Sequence, residues 1–181
     1  LDQLFHCLTS WLAPILVFTA EETWLARFPG DESSVHLNQF PEIPENWQNE
    51  SLDKRWTQVR AFRRVVTGAL EIERREKRIG SSLQAAPTVF VSNDFKSLLE
   101  DLPLDDICIT SGLTLDDGEV PENAFALEDV PGVAVVSALA EGEKCERCWK
   151  ILDDVGTHKA HETLCARCAD VVDNMDIQAE N

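Results

Sequence analysis

Four cysteines in the last quarter of the chain have the spacing of a metal site. Cys145 and Cys148 form one Cys-x-x-Cys pair, Cys165 and Cys168 form a second, and sixteen residues separate the pairs. Each pair can present two sulfur atoms on one side of a tight turn, and two facing turns can surround a metal ion with four thiolates. Zinc prefers this tetrahedral arrangement, which leaves no position for a substrate. The spacing therefore predicts one structural zinc ion.

Other interpretations of the four cysteines fit the sequence less well. A redox dithiol needs one such pair rather than two. Rubredoxin-like iron sites usually place glycine after the turn, where this chain has Trp149 and Ala169. His158 or His161 could replace one cysteine as a ligand, although four cysteines are already available.

The composition indicates a protein with an ordinary core and reduced cysteines. The 181 residues suit one domain or two small ones, and 44% of them are hydrophobic. Cys7 and Cys108 lie singly in apolar surroundings, where cysteine is usually a small buried hydrophobe. This pattern predicts a cytoplasmic protein. The longest apolar run, residues 11–18, is too short to span a membrane. Because the chain starts at Leu1, within an amphipathic pattern, we expect a region of a longer protein.

Positive charge is concentrated in one segment of an acidic chain. The net charge is −17, which is unlike that of a nucleic-acid-binding protein. Residues 54–78, however, contain nine Lys or Arg and only three Glu. A polyanion would therefore be attracted to this segment and repelled elsewhere. The sequence shows no glycine-rich phosphate loop, no nucleophile motif and no catalytic arrangement of its histidines, so we predict no catalytic residue.

The basic segment is predicted to be a long helix from Leu52 to about Arg78, ending near Gly80. An apolar stripe recurs at the helical period. It comprises Leu52, Trp56, Val59, Phe62, Val66, Ala69 and Leu70. The helical period places four arginines on the flank of this stripe (Arg60, Arg64, Arg75 and Arg78) and three further basic residues along it (Arg63, Arg74 and Lys77). These charges either pair with Glu71, Glu73 and Glu76 or face an anionic partner.

The remaining segments predict a mixed α and β protein. Residues 2–27 are expected to be helical, with a break at Pro14 and a second helix capped by Thr19. Residues 29–50 are predicted to form a surface connection, and residues 94–99 a short helix. Residues 173–181 are predicted to form a loosely ordered tail. Strands are predicted at residues 88–91, 106–110 and 133–140.

Three side chains inside the cysteine motifs suggest contact with nucleic acid. Arg147 and Arg167 each lie within a Cys-x-x-Cys turn, and a rigid metal scaffold suits phosphate contacts. Trp149 could stack on an unpaired base, as aromatic side chains do in RNA recognition. It could equally cap the small core of the zinc module.

Motifs along nearly the whole chain resemble isoleucyl-tRNA synthetases. The segment 12–24 resembles a helix of the class I anticodon-binding bundle, although Val17 stands where proline is common. Ala69-Leu-Glu71, Arg74, Lys77 and the segment 79–85 are similar to a stretch typical of the family. The segments 144–149 and 164–168 resemble its zinc finger, with Glu162 where proline is frequent.

The resemblance implies an anticodon-side tRNA-binding region of a larger enzyme. It implies four parts: a helical anticodon-binding region (1–82), a small α/β junction domain (83–142), the zinc finger (143–174) and a tail (175–181). The implied partners are isoleucine tRNA and the rest of the parent chain, and the implied state is a monomer. ATP, isoleucine and editing of valine would belong to parent domains outside this sequence, which lacks the class I catalytic signatures. The expected tRNA contacts are Arg60, Arg64, Arg74, Lys77, Arg147, Trp149 and Arg167.

Two alternatives come from other functional classes. Formamidopyrimidine-DNA glycosylases carry a similar finger with the same spacing, but their N-terminal proline and helix–two-turn–helix segment have no counterpart here. A zinc-stabilised protein-interaction module would require the basic flank to have no role.

Overall fold

The computed structural model describes residues 1–179, with the side chains of residues 1–175. Its secondary structure is mixed α and β, as predicted. The chain divides into two units, Leu1–Glu50 and Ser51–Asn181, which are described separately below. The four-part division at residues 82, 142 and 174 stays a prediction. No helix in the described part of the chain is both long enough and apolar enough to cross a membrane.

The first unit begins with two helices. Helix α1 covers Asp2–Leu12 and helix α2 covers Val17–Arg27, so the break at Pro14 is confirmed. The prediction that Thr19 caps α2 is wrong, because Leu16 is the capping residue and its carbonyl accepts the Ala20 amide at 2.8 Å. Thr19 lies inside the helix, where its carbonyl accepts the Thr23 hydroxyl at 2.7 Å.

The connection that follows α2 is mostly on the surface, but it contributes one core residue. It contains two short 3-10 turns, Val35–Leu37 and Glu45–Trp47. Val35 is buried with Ala13, Ala20 and Trp24. The carboxylate of Glu21 accepts the Val35 amide at 2.9 Å and thereby holds this turn on α2.

The long helix α3, Glu50–Arg75, supplies one side of the core of the second unit. Its buried side chains are Val59, Phe62, Val65, Val66, Ala69 and Leu70. The predicted stripe is therefore confirmed in its central part, whereas Leu52 and Trp56 are 48% and 37% exposed. The helix ends before the predicted boundary, because Lys77 adopts a left-handed conformation (φ 59°) that a helix cannot continue through.

A four-stranded sheet packs against α3. Its order is β2-β1-β4-β3, with β1 parallel to β2 and antiparallel to β4, and with β3 antiparallel to β4. The strands are β1 (Thr88–Val91), β2 (Thr114–Asp116), β3 (Phe125–Ala126) and β4 (Val133–Val136). Helix α4, Asn93–Leu99, follows β1 as predicted. Buried residues of the sheet, including Val89 and Val135, join those of α3 in one core.

The predicted strand at 106–110 is wrong. Helix α5, Leu104–Cys108, occupies this segment and ends at Ile109, which is left-handed (φ 58°). The short apolar run Ile107-Cys108-Ile109 suggested a strand. Acids in the first turn favour a helix start instead, and Asp105 and Asp106 hold those positions.

The last part of the chain is a short hairpin followed by a helix. Strands β5 (Glu143–Lys144) and β6 (Ile151–Leu152) pair antiparallel, and helix α6 covers Ala166–Ala179. The prediction of a loosely ordered tail is wrong for residues 173–179, which belong to α6. The last two residues of that predicted tail, 180 and 181, lie outside the described part.

Candidate metal centre and nucleic-acid interface

The fold brings the four predicted cysteine ligands together. The turn between β5 and β6 carries Cys145 and Cys148, and the start of α6 carries Cys165 and Cys168. The four Sγ atoms lie within 4.8 Å of one another. None of the four forms a disulfide, and Cys148 is the only one of them that is not fully buried.

The geometry of this group fits zinc. Tetrahedral Zn–S bonds of about 2.3 Å place neighbouring sulfur atoms roughly 3.8 Å apart. The Sγ atoms of Cys148 and Cys165 are separated by 3.8 Å. The Cys165 amide also donates to Cys145 Sγ at 3.4 Å, which favours negative charge on that sulfur. The group is therefore suited to one zinc ion with every coordination position filled by protein.

The thiols differ in how easily they lose a proton. Burial by itself raises the pKa of Cys145, but hydrogen bonds from the backbone amides of Cys148, Cys165 and Arg147 outweigh it and lower the pKa to about 6. Burial raises the pKa of Cys165 to about 12, with neighbouring thiols acting in the same direction. Burial likewise raises the pKa of Cys148. Cys145 is thus the thiol that most readily becomes a thiolate, whereas Cys148 and Cys165 need a bound cation to do so.

Two unusual backbone positions shape the first cysteine turn. Trp149 has a φ of 66°, and its amide donates to the Cys145 carbonyl at 2.9 Å. Gly142 has a φ of 106°, and a Cβ there would lie 2.4 Å from the carbonyl carbon of Leu152. Glycine is therefore required at 142 for β5 to approach β6.

A buried lysine joins the finger to helix α5. Lys150 follows the first cysteine turn and is 7% exposed. Its ammonium donates to Asp105 Oδ2 at 2.6 Å and to Asp106 Oδ1 at 2.5 Å. No local pattern in the sequence points to this residue, because its partners lie 45 and 44 positions earlier.

The two arginines of the cysteine turns have different partners. Arg147 Nη1 lies 3.8 Å from Cys168 Sγ, so the guanidinium is held beside the sulfur cluster. Arg167 Nη1 lies 3.7 Å from Asp106 Oδ2. Burial alone lowers the pKa of Arg167, but the charge of Asp106 and the sulfur atoms of Cys148 and Cys168 raise it overall. Arg147 is therefore positioned by the finger itself, whereas Arg167 is positioned between the finger and helix α5.

Trp149 is exposed rather than packed. The residue is 61% exposed, and its indole Nε1 donates to the Glu146 carbonyl at 3.1 Å. Lys144 Nζ lies 5.6 Å from the ring centroid. The ring borders a cleft of about 430 Å³, whose other lining residues are Gly80, Ser81, Leu83, Gln84, Lys144 and Ile151. The cleft therefore lies between the finger and the segment that follows the basic helix.

The predicted basic contacts fall into two groups along α3. Arg60 and Arg64 lie near the middle of the helix, whereas Arg74 lies near its end, about 21 Å from Arg60 at a rise of about 1.5 Å per residue. Lys77, just after the helix, is exposed. Only the second group is close in sequence to the cleft beside Trp149.

Acidic side chains partner most of these arginines. Arg64 contacts Asp129 at 2.6 Å, Arg74 contacts Glu71 at 2.5 Å and Arg60 contacts Asp53 at 3.9 Å. Arg78 pairs with Glu73 and Glu76. Arg63 donates to the Ile107 carbonyl at 2.8 Å, which ties α3 to α5. Pairing with Glu71, Glu73 and Glu76 is thus confirmed, and an anionic partner would have to compete with exposed, weak ion pairs.

The two histidines considered as substitute zinc ligands belong to a different group. His158 and His161 lie with Asp173, and their ligand atoms are within 4.8 Å of one another. They are not part of the four-cysteine group.

Comparison with known proteins identifies two domain families in the chain. Residues 1–89 match the family described as the anticodon-binding domain of tRNA ligase, and residues 142–171 match the zinc finger found in FPG and IleRS. The chain is 58% identical to the isoleucine–tRNA ligase of Ruegeria pomeroyi over 169 residues, which is 93% of the chain. It is 51% identical to the ligases of Agrobacterium fabrum and Bartonella henselae, each over 92% of the chain. In each case it spans about 17% of the relative's length. The chain thus belongs to the isoleucyl-tRNA synthetase family, as the C-terminal region that contains the anticodon-binding domain and the zinc finger.

Proposed function

We propose that this region binds the anticodon side of isoleucine tRNA and holds it for the catalytic domain of the parent enzyme. That domain would activate isoleucine with ATP and transfer it to the tRNA. The observation that carries the proposal is the exposed Trp149 ring on a metal-supported turn, beside the segment that follows the basic helix. The parent is proposed to be a cytoplasmic monomer.

The contacts proposed for tRNA combine phosphate and base recognition. An anticodon loop presents unpaired bases, which stack on aromatic side chains, and phosphates, which attract cations. Trp149 and the neighbouring Lys144 offer both kinds of contact at one cleft. Arg74 and Lys77 would add charge near the cleft, Arg147 and Arg167 would do so from the finger, and Arg60 and Arg64 would contact a more distant part of the tRNA.

The zinc ion would have a structural role in this function. Cys145, Cys148, Cys165 and Cys168 would hold it, and it would supply a fixed scaffold rather than chemistry at a substrate. The turn holds Arg147 beside Cys168 and Trp149 at the surface, and a bound metal ion would fix this arrangement. The helical anticodon-binding part, the α/β junction part and the finger are proposed to act as three successive pieces of one tRNA-binding surface.

A binding titration tests the proposal. The zinc-loaded chain is titrated with isoleucine tRNA, a non-cognate tRNA and a duplex DNA containing an abasic site, each at two salt concentrations. We expect the strongest binding to isoleucine tRNA and a steep loss of affinity with salt. Preference for the DNA would instead favour a glycosylase-like finger, and salt-independent binding would contradict the basic surface.

A matched pair of variants tests the stacking role. Trp149→Ala should weaken tRNA binding by the energy of one stacked base, about 1–3 kcal/mol. Leu139→Ala removes an apolar side chain of similar exposure (63%) and should leave the affinity unchanged. Equal affinities of the two variants and the wild type would show that Trp149 does not contact tRNA.

A further inference from the structure

Two histidines and an aspartate converge on one point of the finger, outside the four-cysteine group. His161 Nε2 lies 2.8 Å from Asp173 Oδ1, and His158 Nε2 lies 3.5 Å from Asp173 Oδ2. The imidazole rings are nearly parallel, with centroids 5.4 Å apart and an interplanar angle of 17°. Both rings therefore direct the same nitrogen at one carboxylate.

These separations suit ligands of one metal ion. Zn–N and Zn–O bonds of about 2.0–2.1 Å in a tetrahedron place neighbouring ligand atoms roughly 3.3 Å apart. The distances of 2.8 and 3.5 Å run to the two different oxygens of Asp173, and one ligand atom from each of the three residues lies within 4.8 Å of the other two. Imidazole and carboxylate together are a donor set that zinc and similar transition ions accept.

The polar atoms around this cluster are not all satisfied by protein. His158 Nδ1 is buried and has no hydrogen-bond partner among the described residues. Asp154 Oδ1, four residues earlier in the same finger, is also buried and has no hydrogen-bond partner among the described residues. A histidine that binds metal through Nε2 carries its proton on Nδ1. In the metal-bound form, His158 Nδ1 would be a hydrogen-bond donor and Asp154 Oδ1 would be an available acceptor.

The chain arranges the three residues as a chelate. His158 and His161 lie in one turn, closed by a hydrogen bond from the His161 amide to the His158 carbonyl at 3.0 Å. Asp173 lies on α6, two helical turns after Cys165. A metal ion at this point would tie the 157–163 loop to the helix that begins within the second cysteine pair.

We propose that His158, His161 and Asp173 form a second binding site for a divalent transition metal ion of the zinc class. Three protein ligands leave one tetrahedral position for water. The side chains are 42%, 23% and 48% exposed, so this site is open to solvent and exchanges metal more readily than the buried four-cysteine site. The proposal is independent of tRNA binding.

Zinc titration of the whole chain tests this proposal. Protein loaded with one equivalent of zinc is titrated with further zinc in a calorimeter, and bound metal is counted after equilibrium dialysis. Wild type should bind a second equivalent. His161→Ala and Asp173→Asn should each weaken that step at least about tenfold, because even removing a residue that only supports a metal ligand costs this much.

His36→Ala provides the matched control. His36 is also an exposed histidine, but its Nε2 lies 3.2 Å from the Val17 carbonyl and has no carboxylate partner among the described residues. This variant should bind the second zinc as wild type does. A single equivalent bound by wild type, or unchanged affinity in both His161→Ala and Asp173→Asn, would show a hydrogen-bonded cluster without a metal. Retention of the first zinc in each variant reports that its finger is folded.

Discussion

The ammonium of Lys150 lies 2.6 Å from Oδ2 of Asp105, and this contact fixes the zinc finger to helix α5. The same ammonium reaches Asp106, which also faces Arg167 on the second cysteine turn. Both cysteine turns are thereby linked to one short helix. The orientation of the finger on the α/β part thus depends on a buried cation with two acidic partners.

Lys150→Met should destabilise the chain by about 1 kcal/mol or somewhat more. Hydrogen bonds to charged groups contribute about 1.5–3 kcal/mol each, and solvent screening of the partly exposed Asp105 and Asp106 reduces that contribution. Lys96→Met is the matched control, since Lys96 contacts Asp117 at 2.5 Å but is 54% exposed. Urea unfolding should show a clearly smaller effect for Lys96→Met. Equal effects would mean that burial does not strengthen the Lys150 contacts.

The contribution of Lys150 to the free energy of unfolding should change with pH in strong acid and in strong alkali. Burial alone raises the pKa of Asp105, but Lys150 outweighs it and lowers the pKa below its ordinary value of 3.8. This part of the stability is present above pH 3.8 and is lost as the pH falls through the lowered pKa. Burial alone lowers the pKa of Lys150, but its acidic partners raise it above 10.5, so that part is lost only as the pH rises through the raised pKa.

The difference in unfolding free energy between wild type and Lys150→Met measures this dependence. We expect it to be constant near neutral pH and to shrink in acid and in strong alkali. Taking the difference removes the pH dependence of metal binding, which both proteins share. A difference that varies across neutral pH would contradict the assignment to Asp105 and Lys150.

Removing the metal should unfold the finger. Few apolar residues pack around the cysteines, so the free energy of zinc binding, about 10–16 kcal/mol in isolated zinc-finger peptides, supplies most of the stability there. Cys148→Ser should lose zinc by elemental analysis, whereas Cys7→Ala, a buried cysteine outside the site, should retain it. Full zinc content in Cys148→Ser would exclude that residue as a ligand.

The salt dependence of tRNA binding should report which arginines bind phosphate. Removing one arginine–phosphate interaction should flatten the slope of log affinity against log salt by about 0.7–0.9. Arg147→Gln and Arg74→Gln are expected to do so, and Arg63→Gln is the control because its guanidinium is bound to the Ile107 carbonyl. The same slope in all three variants and the wild type would place the phosphate-binding residues elsewhere.

Gly142→Ala should destabilise the finger by more than about 1 kcal/mol, because its positive φ and the 2.4 Å approach to Leu152 both exclude a Cβ. Gly80→Ala is the control, since the nearest atom to its Cβ is 3.5 Å away in the flexible Gln84 side chain. Equal losses of thermal stability in the two variants would contradict this explanation of the hairpin.

The sequence alone determined the features that depend on neighbouring residues. The spacing of Cys145, Cys148, Cys165 and Cys168 predicted the group that the fold assembles, because each cysteine turn is a local structure. The period of α3 predicted the burial of Val59, Phe62 and Leu70 for the same reason. Local patterns failed at 106–110, where a short apolar run suggested a strand but Asp105 and Asp106 begin a helix.

Only the tertiary structure decided which distant residues meet. Lys150 has no sequence signal, because its role depends on the approach of Asp105 from 45 residues away. His158 and His161 were visible only as substitutes for cysteine, until helix α6 placed Asp173 against them. The exposure of Trp149 also depends on the tertiary structure, because the elements that pack around a side chain determine whether it is buried. Spacing encodes what a turn or helix does by itself, whereas contacts between elements depend on the whole fold.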